Sequence, residues 1–227
     1  MENVLERERE RELTNQFFII LNEAAQIVGV DLYSLEKKKL GEMAQCCDGI
    51  HQTPKYADSG VPFISVKNIK NIYETQQYIS KKDFKEFKFK PEKGDVFMTR
   101  IGDIGTCAVV QNDEDLAYYV TLTLIKPNRN IILGGFIKYF IESDYGRKEL
   151  DKRTLHKAIP IKINLGDVKQ LELPLPPISV QEHVVSILDK FSEIANDLEQ
   201  GLPAEINLRQ KQYEYYRNLL LSFPNQN

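Results

Sequence analysis

The sequence predicts an α+β protein: a mostly antiparallel β domain, followed by a long helical coiled-coil arm and preceded by an N-terminal helix. Between residues 40 and 177, short runs of β-branched and aromatic residues alternate with turn residues, which is typical of strands joined by loops. Beyond residue 177, apolar residues recur at alternating steps of three and four, the spacing of a coiled-coil seam. We therefore expect three segments: an N-terminal helical segment of residues 1–39, a β domain of residues 40–177 and an arm of residues 178–227.

The N-terminal segment carries one apolar stripe. From Leu13 to Ile27, apolar residues follow each other at steps of four and three, which predicts a helix over residues 2–28 with Gly29 as its C-terminal stop. The stretch "DLYSLEKKKL", which begins at Asp31, is expected to form a second short helical piece with that aspartate as its N-cap.

Several stretches of the β domain have the composition of strands: "VPFISVKNI", "GDVFMTRIG", "TCAVVQ", "YYVTLTLIKP" and "IKINLGDVKQLELPLP". The segments "CDGIHQTPKYADSG", "KPEKGD" and "QNDED" between them are rich in turn residues and are expected to be loops. One helix is predicted in "GGFIKYFIESDYGRKELDKR", where Phe136, Tyr139 and Phe140 stand at helical spacing. The prolines of "PLPPI" then end the domain in a stiff extended exit.

The arm is predicted to contain two helices of about twenty residues, each roughly 30 Å long at about 1.5 Å per residue. They are separated at "GLP", where Pro203 suits the first position of a new helix. Arg209 interrupts the second seam as a candidate contact to another helix or to a partner. A narrow seam needs a helical neighbour, which the N-terminal helix or a second copy of the chain would supply. The predicted seam residues are Val184, Ile187, Phe191, Ile194 and Leu198 in the first helix, and Ile206, Tyr213, Tyr216, Leu220 and Phe223 in the second.

The composition argues against several classes of protein. No run of about eighteen apolar residues occurs, so no membrane-spanning helix is predicted, and the charged N-terminus is not expected to be a signal peptide. The 3 cysteines form no disulfide pattern, which fits a reducing cytoplasm. The net charge of −3 does not indicate a general nucleic-acid binder, but the β domain is slightly basic whereas the two flanks are acidic.

The glycine-containing stretch "KGDVFMTRIGDIGTCAVV", from Lys93 to Val110, has three alternative interpretations: a phosphate-binding loop, a turn in a β domain, or part of a recognition surface. A phosphate-binding loop needs a lysine and then a helix after its glycines, and a dinucleotide-binding loop needs the spacing GxGxxG; neither pattern is present. The stretch therefore predicts a glycine-turned β-hairpin, in which Gly102 and Gly105 allow a positive φ and the close approach of another backbone.

Cysteine and histidine offer one candidate catalytic site. Cys46 or Cys47 could pair with His51 as a nucleophile, but no third group in a recognisable position orients the histidine. We interpret Cys47 as a small buried hydrophobic residue. We expect no metal site and no catalytic group in this chain.

Polar and basic side chains are frequent in the predicted loops. His156 stands between Arg153 and Lys157, and such a basic loop suits the phosphate backbone of nucleic acid better than a metal ion, since no carboxylate–histidine spacing accompanies it. Amide, hydroxyl and ammonium groups at loop tips are also the groups that read base edges, although many soluble proteins display them. They stand here at Lys55, Tyr56, Ser65, Lys67 and Asn68.

The order of these elements resembles the specificity (S) subunit of type I DNA restriction–modification systems, and in particular one half of it, with one target-recognition domain and one helical spacer. The likeness is carried by "KKKLGEMAQCCDGIHQTP", "GDVFMTRIGDIGTCAVV", "LELPLPPISVQEHVVSILDKF" and "GLPAEINLRQKQYEYYRNLLLSF". The last stretch, which is similar to the second spacer helix of the family, is the most specific. The resemblance extends over residues 40–223, and since family members usually carry two recognition domains, this chain looks like a half-length form.

The resemblance implies that residues 40–177 form a DNA target-recognition domain for one half of a split sequence, and that the arm spaces two such domains and docks two methyltransferase (M) subunits. A motor-nuclease restriction (R) subunit would join for cleavage. S-adenosylmethionine, ATP and magnesium are expected on these partners, and no cofactor is expected in this chain. A chain with one domain is expected to form a homodimer through its helices, or to pair with another half S subunit.

The candidate contacts to double-stranded DNA come from loops predicted at one edge of the domain: Gln52, Thr53, Lys55, Tyr56, Ser65, Lys67, Asn68, Arg100, Asp103, Thr121, Arg153, His156 and Lys157. An alternative from another class is a protein–protein adaptor or regulatory half subunit that binds M or S subunits without reading DNA. A third interpretation, a stand-alone nuclease, lacks a paired-carboxylate metal site with a nearby lysine in the sequence.

Overall fold

A computed structural model describes residues 19–21, 23, 35–190 and 192 of the 227-residue chain. The chain divides into two units, Met1–Val185 and Ser186–Asn227. The strands of the first unit are β1 Lys37–Lys39, β2 Ala44–Asp48, β3 Tyr56–Ala57, β4 Val61–Ile64, β5 Tyr78–Ile79, β6 Val96–Ile101, β7 Asp103–Val109, β8 Ala117–Tyr118, β9 Leu122–Pro127 and β10 Glu172–Pro174. Its helices are α1 Leu40–Met43, α2 Lys81–Phe84, α3 Gly134–Glu142, α4 Asp144–Asp151 and α5 Leu165–Val168, followed by α6 at residues 178–185, and Val66–Asn68 form a 3₁₀ turn.

The central sheet is antiparallel and has the strand order β2-β9-β6-β7. Helix α3 contacts β6, β7 and β9 and buries Phe136 and Phe140 completely. On the other face, Phe97 of β6 lies 5.1 Å from the ring of Tyr118 in a second, smaller sheet. Because β6 is covered on both faces, its apolar residues form a nearly continuous run instead of alternating with polar ones.

The smaller sheet has the order β3-β5-β4-β8, in which β4 and β8 are parallel and the other neighbours are antiparallel. Its buried side chains, among them Phe63 and Tyr118, join those of the central sheet in one hydrophobic core. The prediction of a mixed α+β fold with mostly antiparallel sheets is therefore confirmed, with one parallel strand pair that the sequence did not indicate.

The strand pair β1–β10 connects the beginning and the end of the β-rich part of the chain. Lys37 lies opposite Pro174, and Lys39 lies opposite Glu172. This pairing corrects the expectation that "DLYSLEKKKL" is helical at its C-terminal end, since the lysines gain backbone hydrogen bonds from β10 instead. The first residues of that stretch, 31–34, lie outside the described residues. Of the predicted N-terminal helix, the described residues 19–21 and 23 are helical.

The predicted single helix in "GGFIKYFIESDYGRKELDKR" is wrong, because the chain forms two helices that meet at Ser143. The backbone of Ser143 is extended, with φ −68° and ψ 160°, so it ends α3 and begins α4. Its hydroxyl accepts a hydrogen bond from Gly146 N and donates one to Phe140 O. A serine that caps the second helix in this way competes with continuation of the first.

Two further expectations about strands are corrected. The stretch "IKINLGDVKQLELPLP" contains helix α5, which buries Val168, and only its residues 172–174 form a strand. The stretch "VPFISVKNI" leaves the strand conformation at Ser65, whose hydroxyl caps the following 3₁₀ turn. In the first stretch a helical turn supplies the buried Val168, whereas in the second stretch strand β4 supplies the buried Val61, Phe63 and Ile64 before the chain turns.

A buried glutamine anchors helix α6 to the rest of the first unit. Gln181 is 0 % exposed; its Oε1 accepts a hydrogen bond from Leu133 N, and its Nε2 donates to Ile131 O and Pro176 O. Val184, one turn later, is also fully buried within this chain. In the second unit, the described residues 186–190 and 192 are helical.

Candidate nucleic-acid interface

The central sheet brings several chain segments to one of its edges. β2 ends at Asp48 and β6 ends at Ile101, whereas β7 begins at Asp103 and β9 begins at Leu122. Because the neighbouring strands are antiparallel, these ends and beginnings lie on the same side, with Asp48 opposite Thr123. The loops at these points are therefore neighbours in space. We name the segments on this side the loop edge: residues 49–56, 65–68, 100–103, 119–121 and 152–162.

Hydrogen bonds from the turn at residues 119–121 hold the loop edge together. Thr121 Oγ1 accepts a hydrogen bond from Val66 N at 3.1 Å, and Val120 N donates to Ile50 O at 3.0 Å. Thr121 O accepts from Arg100 N at 3.0 Å. Thr121 was predicted as a DNA contact. It is half-buried between three loops, and its hydroxyl already accepts the hydrogen bond from Val66 N.

The predicted base-edge readers at residues 65–68 divide into two kinds. Asn68 Oδ1 accepts from Ser65 N at 3.2 Å, and Ser65 Oγ accepts from Lys67 N at 3.4 Å, so both polar side chains build the turn itself. Lys67 is exposed. A hydroxyl or amide that is engaged in a capping box is less available to a base edge, which leaves the ammonium group of Lys67 as the accessible charge of this turn.

Arg100 does not lie on the surface. Its side chain is 8 % exposed, its Nη2 forms an ion pair with Asp48 Oδ1 at 2.8 Å, and its Nη1 donates to Ile163 O at 3.3 Å. The expectation that Arg100 approaches DNA directly is therefore not supported, because its guanidinium is covered and its charge is matched. Asp48 is also 3.6 Å from Nε2 of His51, whose side chain is 72 % exposed.

The glycine-turned hairpin predicted around "RIGDIGT" is confirmed. Gly102 and Gly105 have φ values of 83° and 87°, and β6 pairs with β7 in antiparallel register on either side of the Gly102 turn. Asp103, a predicted DNA contact, is exposed, and its Oδ2 accepts a hydrogen bond from Thr99 Oγ1 at 3.1 Å. The hairpin brings the turn next to residues 161–163, because Gly102 N donates to Ile161 O at 2.8 Å.

The basic residues after helix α4 differ in how far they are engaged. Arg153 Nη1 lies 2.7 Å from Glu149 Oε2, and His156 Nε2 lies 3.1 Å from Asp151 Oδ1. Burial alone would raise the pKa of Glu149. Hydrogen bonds from Lys152 and Arg153 outweigh this effect and hold that pKa below its usual value. Lys157 is exposed, and no ion pair is found for it within the described part of the chain.

The loop after β2 is an accessible part of the loop edge. Gln52, Thr53 and Lys55 are exposed and line a cavity of about 630 Å³ beside helix α2. Tyr56 is 50 % exposed, and its ring makes an edge contact with Phe63 at 5.8 Å. This loop thus displays amide, hydroxyl, ammonium and aromatic groups together. At its C-terminal end, Tyr56 contacts the buried Phe63 of the core.

The cysteine–histidine alternative receives no support from the geometry. Cys46 and Cys47 are buried, and burial raises the pKa of Cys46 to about 12 and raises that of Cys47 in the same direction. A nucleophilic thiol needs the opposite shift. The interpretation of Cys47 as a small buried hydrophobic residue is confirmed, and the near neighbour of His51 is Asp48.

Most predicted seam residues of the arm lie outside the described residues. Val184 and Ile187 are described and helical, and Val184 is buried within the first unit. The remaining ones, which are not described, are Phe191, Ile194, Leu198, Ile206, Arg209, Tyr213, Tyr216, Leu220 and Phe223.

Sequence reasoning missed three residues that build the fold around this site. Asp48 was placed in a predicted loop, although it ends strand β2 and neutralises Arg100. Gln181 was given no role of its own, although a polar residue between Val180 and Val184 on the buried face of a helix is a signal for a hydrogen-bonded anchor. Ile163 is the third: its backbone carbonyl binds Arg100, and no side-chain pattern reports such a contact.

Among the described residues, no group of three or more His, Cys, Asp or Glu side chains could hold a metal ion. The same part of the chain contains no helix of the length and apolar character that crossing a membrane requires.

Residues 34–208 match the family described as type I restriction modification DNA specificity domain. A putative type I restriction enzyme specificity subunit from Haemophilus influenzae is 28% identical over 191 residues, which are 82% of this chain and 47% of that protein. The specificity subunit of the type I restriction enzyme EcoR124I/EcoR124II from Escherichia coli is 58% identical over 101 residues, which are 43% of this chain and 24% of that protein. The chain thus spans about half the length of the first of these relatives, and less of the second.

Solved structures show a similar fold. The HsdS subunit from Thermoanaerobacter tengcongensis has a TM-score of 0.59 and 20% sequence identity over 88% of this chain and 50% of that chain. The S subunit of a type I restriction-modification system from M. genitalium has a TM-score of 0.60 and 15% identity over 91% of this chain and 52% of that chain. At these identities the likeness concerns the fold.

Proposed function

The chain belongs to the family of type I restriction modification DNA specificity domains, and from this premise we propose that it reads one half of a split DNA target for a type I restriction–modification complex. The observation that carries the proposal is the loop edge, where segments from distant parts of the sequence are held together by hydrogen bonds. Among its exposed lysines, Lys55, Lys67 and Lys157 come from three different loops. Cations presented by separate loops suit the phosphates of a duplex, which fix position, while neighbouring polar groups reach the bases.

Within the loop edge, we assign different tasks to the predicted contacts. Lys67, Lys157 and Arg153 suit phosphates, although Arg153 shares its charge with Glu149. Gln52 and Thr53 are the exposed groups best suited to base edges, because they carry both donors and acceptors. The remaining predicted contacts are Lys55, Tyr56, Asp103 and His156 at the exposed surface, and Ser65, Asn68, Arg100 and Thr121 in the framework that shapes it.

The arm is proposed to space two recognition domains and to dock the partner subunits. A helix of roughly 30 Å is comparable to one turn of B-DNA, about 34 Å, which is the separation that two half-sites require. The seam residues from Val184 to Leu198 and from Ile206 to Phe223 would join two chains in a helical bundle. A homodimer would then read a split palindrome, whereas pairing with another half S subunit would read two different halves.

The chemistry of the complex is proposed to belong to its partners. Two M subunits would bind S-adenosylmethionine and transfer the methyl group, and an R subunit would use ATP and magnesium for cleavage. The task of this chain would be recognition and positioning, without catalysis. The family match does not favour the alternative of an adaptor that binds M or S subunits without reading DNA.

The proposal is tested by co-expressing the chain with an M subunit and mapping methylated adenines in the host genome. The expected result is a two-part sequence with an unspecified gap, symmetric if the chain is a homodimer. A complex that forms but methylates without sequence preference, or that shows no salt-dependent binding to DNA, would contradict the reading function and support the adaptor.

A further inference from the structure

The loop that follows helix α4 exposes apolar side chains at its end. Ile159 is 100 % exposed, Leu155 is 42 % exposed and Ile161 is 39 % exposed. Three large aliphatic side chains exposed close together in one short loop differ from the single scattered ones that are normal on protein surfaces, and exposed apolar patches mark binding sites. We name these three residues the apolar tip.

The base of this loop is firmly attached to the loop edge. Leu155 N donates to Lys162 O at 2.7 Å, and Gly102 N donates to Ile161 O at 2.8 Å. Inside the loop, Ala158 N donates to Leu155 O at 3.0 Å, which closes a turn. The apolar tip is therefore displayed by a hydrogen-bonded support next to the β6–β7 turn, and its exposure does not come from an unattached segment.

The charge around the apolar tip identifies the kind of partner. In residues 152–162, "KRTLHKAIPIK", the side chains of Lys152 and Arg153 pair with Glu149, and His156 lies against Asp151, so the positive charge that this loop leaves for a partner is that of Lys157 and Lys162. Lys157 and Lys162 are exposed on either side of Ile159. Lysine is depleted from protein–protein interfaces, whereas a cationic rim around a small apolar contact is suited to a nucleic-acid groove lined by phosphates. The occupant that fits is double-stranded DNA.

An aliphatic side chain cannot form hydrogen bonds with base edges. The aliphatic group that a base pair presents in the major groove is the C5-methyl of thymine. Resting on the proposed function of the loop edge, we propose that Ile159 is a specificity-determining residue that contacts a thymine methyl group in the major groove, while Lys157 and Lys162 hold the flanking phosphates. The proposal adds an apolar element to a surface whose other predicted contacts are polar or charged.

The test removes the aliphatic group from one side of the contact at a time: the thymine methyl group from the DNA, or the side chain of Ile159 from the protein. The full chain is assembled with its M subunit, and binding is measured to duplexes of its mapped target in which single thymines are replaced by deoxyuridine. For the unmodified chain, replacement at one position or more should weaken binding about 4-fold, the factor for one buried methyl group. Ile159→Ala should weaken binding to the thymine duplex by at least this factor. For this variant, replacing the thymine with deoxyuridine should cause no further loss of affinity. Because Ile159 is fully exposed, this variant leaves the core untouched.

Lys157→Ala is the matched control, since it removes a charge from the same loop and leaves the aliphatic contact. It should weaken binding to all duplexes alike and retain the roughly 4-fold preference for thymine. The proposal is overturned if no thymine replacement affects the unmodified chain, or if Ile159→Ala retains the full preference. If Ile159→Ala weakens binding to the thymine and deoxyuridine duplexes by the same factor, the side chain acts as a wedge between base steps, and this outcome also overturns the proposal.

Two further outcomes would also overturn the proposal and are distinguishable from these. If Ile159→Ala reduces assembly with the M subunit while DNA binding by the assembled fraction is unchanged, the apolar tip contacts protein. If the unmodified complex assembles but has no preferred DNA sequence, the proposed function itself fails and the inference fails with it.

Discussion

At the level of single residues, burial separates the side chains that build the loop edge from those that face solvent. Arg100 lies near the end of β6, and Thr121 and Ser65 lie in loops, yet the polar side chains of all three already bond to other groups of the protein. Lys67 and Lys157 are exposed. The free energy of DNA contact is therefore expected from the second group, whereas changes in the first group should act on the stability and shape of the surface.

Arg100 provides a direct test of this distinction. Replacing it with Met keeps the aliphatic stem but leaves Asp48 without its ion-pair partner, so the free energy of unfolding should fall by about 1–3 kcal/mol. Adding Asp48→Asn should recover part of the loss, and a double-mutant cycle of urea unfolding curves measures the coupling. Unchanged stability together with relaxed DNA specificity at one position would show instead that Arg100 contacts a base.

Lys157 should behave as a phosphate contact. Lys157→Ala is expected to weaken binding of the assembled complex to all DNA sequences alike and to reduce the slope of log K against log salt by about 0.9. Titrations at several salt concentrations measure both effects. Lys93→Ala is the control, because Lys93 is exposed before the first residue of β6, at the end of the strand opposite to Arg100. Equal effects of the two variants would contradict the assignment.

At the level of secondary-structure elements, the β6–β7 hairpin and helix α6 fix what lies around them. The hairpin places its glycine turn against residues 161–163, and the glutamine of α6 attaches that helix to the segment before α3. Both attachments depend on hydrogen bonds from backbone N–H groups: Gly102 N bonds to Ile161 O, and Leu133 N bonds to Gln181 Oε1. Substitutions at these points should therefore disturb an element as a whole and not only a local contact.

The two glycines of the hairpin should differ in their response to alanine. Gly102→Ala meets nothing within 4 Å and should cost about 1–2 kcal/mol for the positive φ alone. Gly105→Ala has the same cost, and its Cβ would in addition collide with Cδ1 of the buried Leu150, which adds about 1–3 kcal/mol. Urea unfolding of the full chain measures the difference; identical losses would mean that Leu150 relaxes freely.

Gln181 should be essential for the attachment of α6. Gln181→Leu keeps the approximate size but leaves Leu133 N, Ile131 O and Pro176 O without their partner, so the free energy of unfolding should fall by about 2–5 kcal/mol. Thermal or urea unfolding measures this loss. Gln170→Leu, at an exposed position, should have little effect. A similar small effect for both glutamines would show that water replaces the buried hydrogen bonds.

At the level of the whole molecule, the proposed function assigns one half-site to each copy of this chain. The chain spans about half the length of the Haemophilus influenzae relative and of the similar solved subunits. A split target needs two recognition surfaces at a set separation, and the proposed two-fold assembly of two such chains would supply them. The heptad seams of the arm are the proposed means of assembly.

The homodimer is tested by light scattering of the chain alone at micromolar concentration, where twice the mass of one chain is expected. Leu198→Glu places a charge in the proposed seam and should shift the equilibrium to monomers. Asn196→Glu adds the same charge at a position outside the seam pattern and should leave the mass unchanged. A monomer in the unmodified chain would leave pairing with another half S subunit as the remaining proposal.

Local sequence was sufficient for the mixed α+β class, the Gly102 hairpin and the buried character of Cys47, because these follow from composition, glycine placement and short-range spacing. Motif order was sufficient for the family. The break at Ser143 follows from local capping by its hydroxyl, which the helical spacing of the aromatic residues did not indicate. The helical turn at Leu165–Val168 and the pairing of Lys37–Lys39 with Glu172–Pro174 required tertiary contacts, since each depends on a partner distant in sequence or on which side chain reaches the core. The same reason separates Arg100, which long-range contacts remove from the surface, from Ile159, which they leave fully exposed. Spacing along a chain reports which face a residue belongs to, but burial is set by what the rest of the chain places over that face.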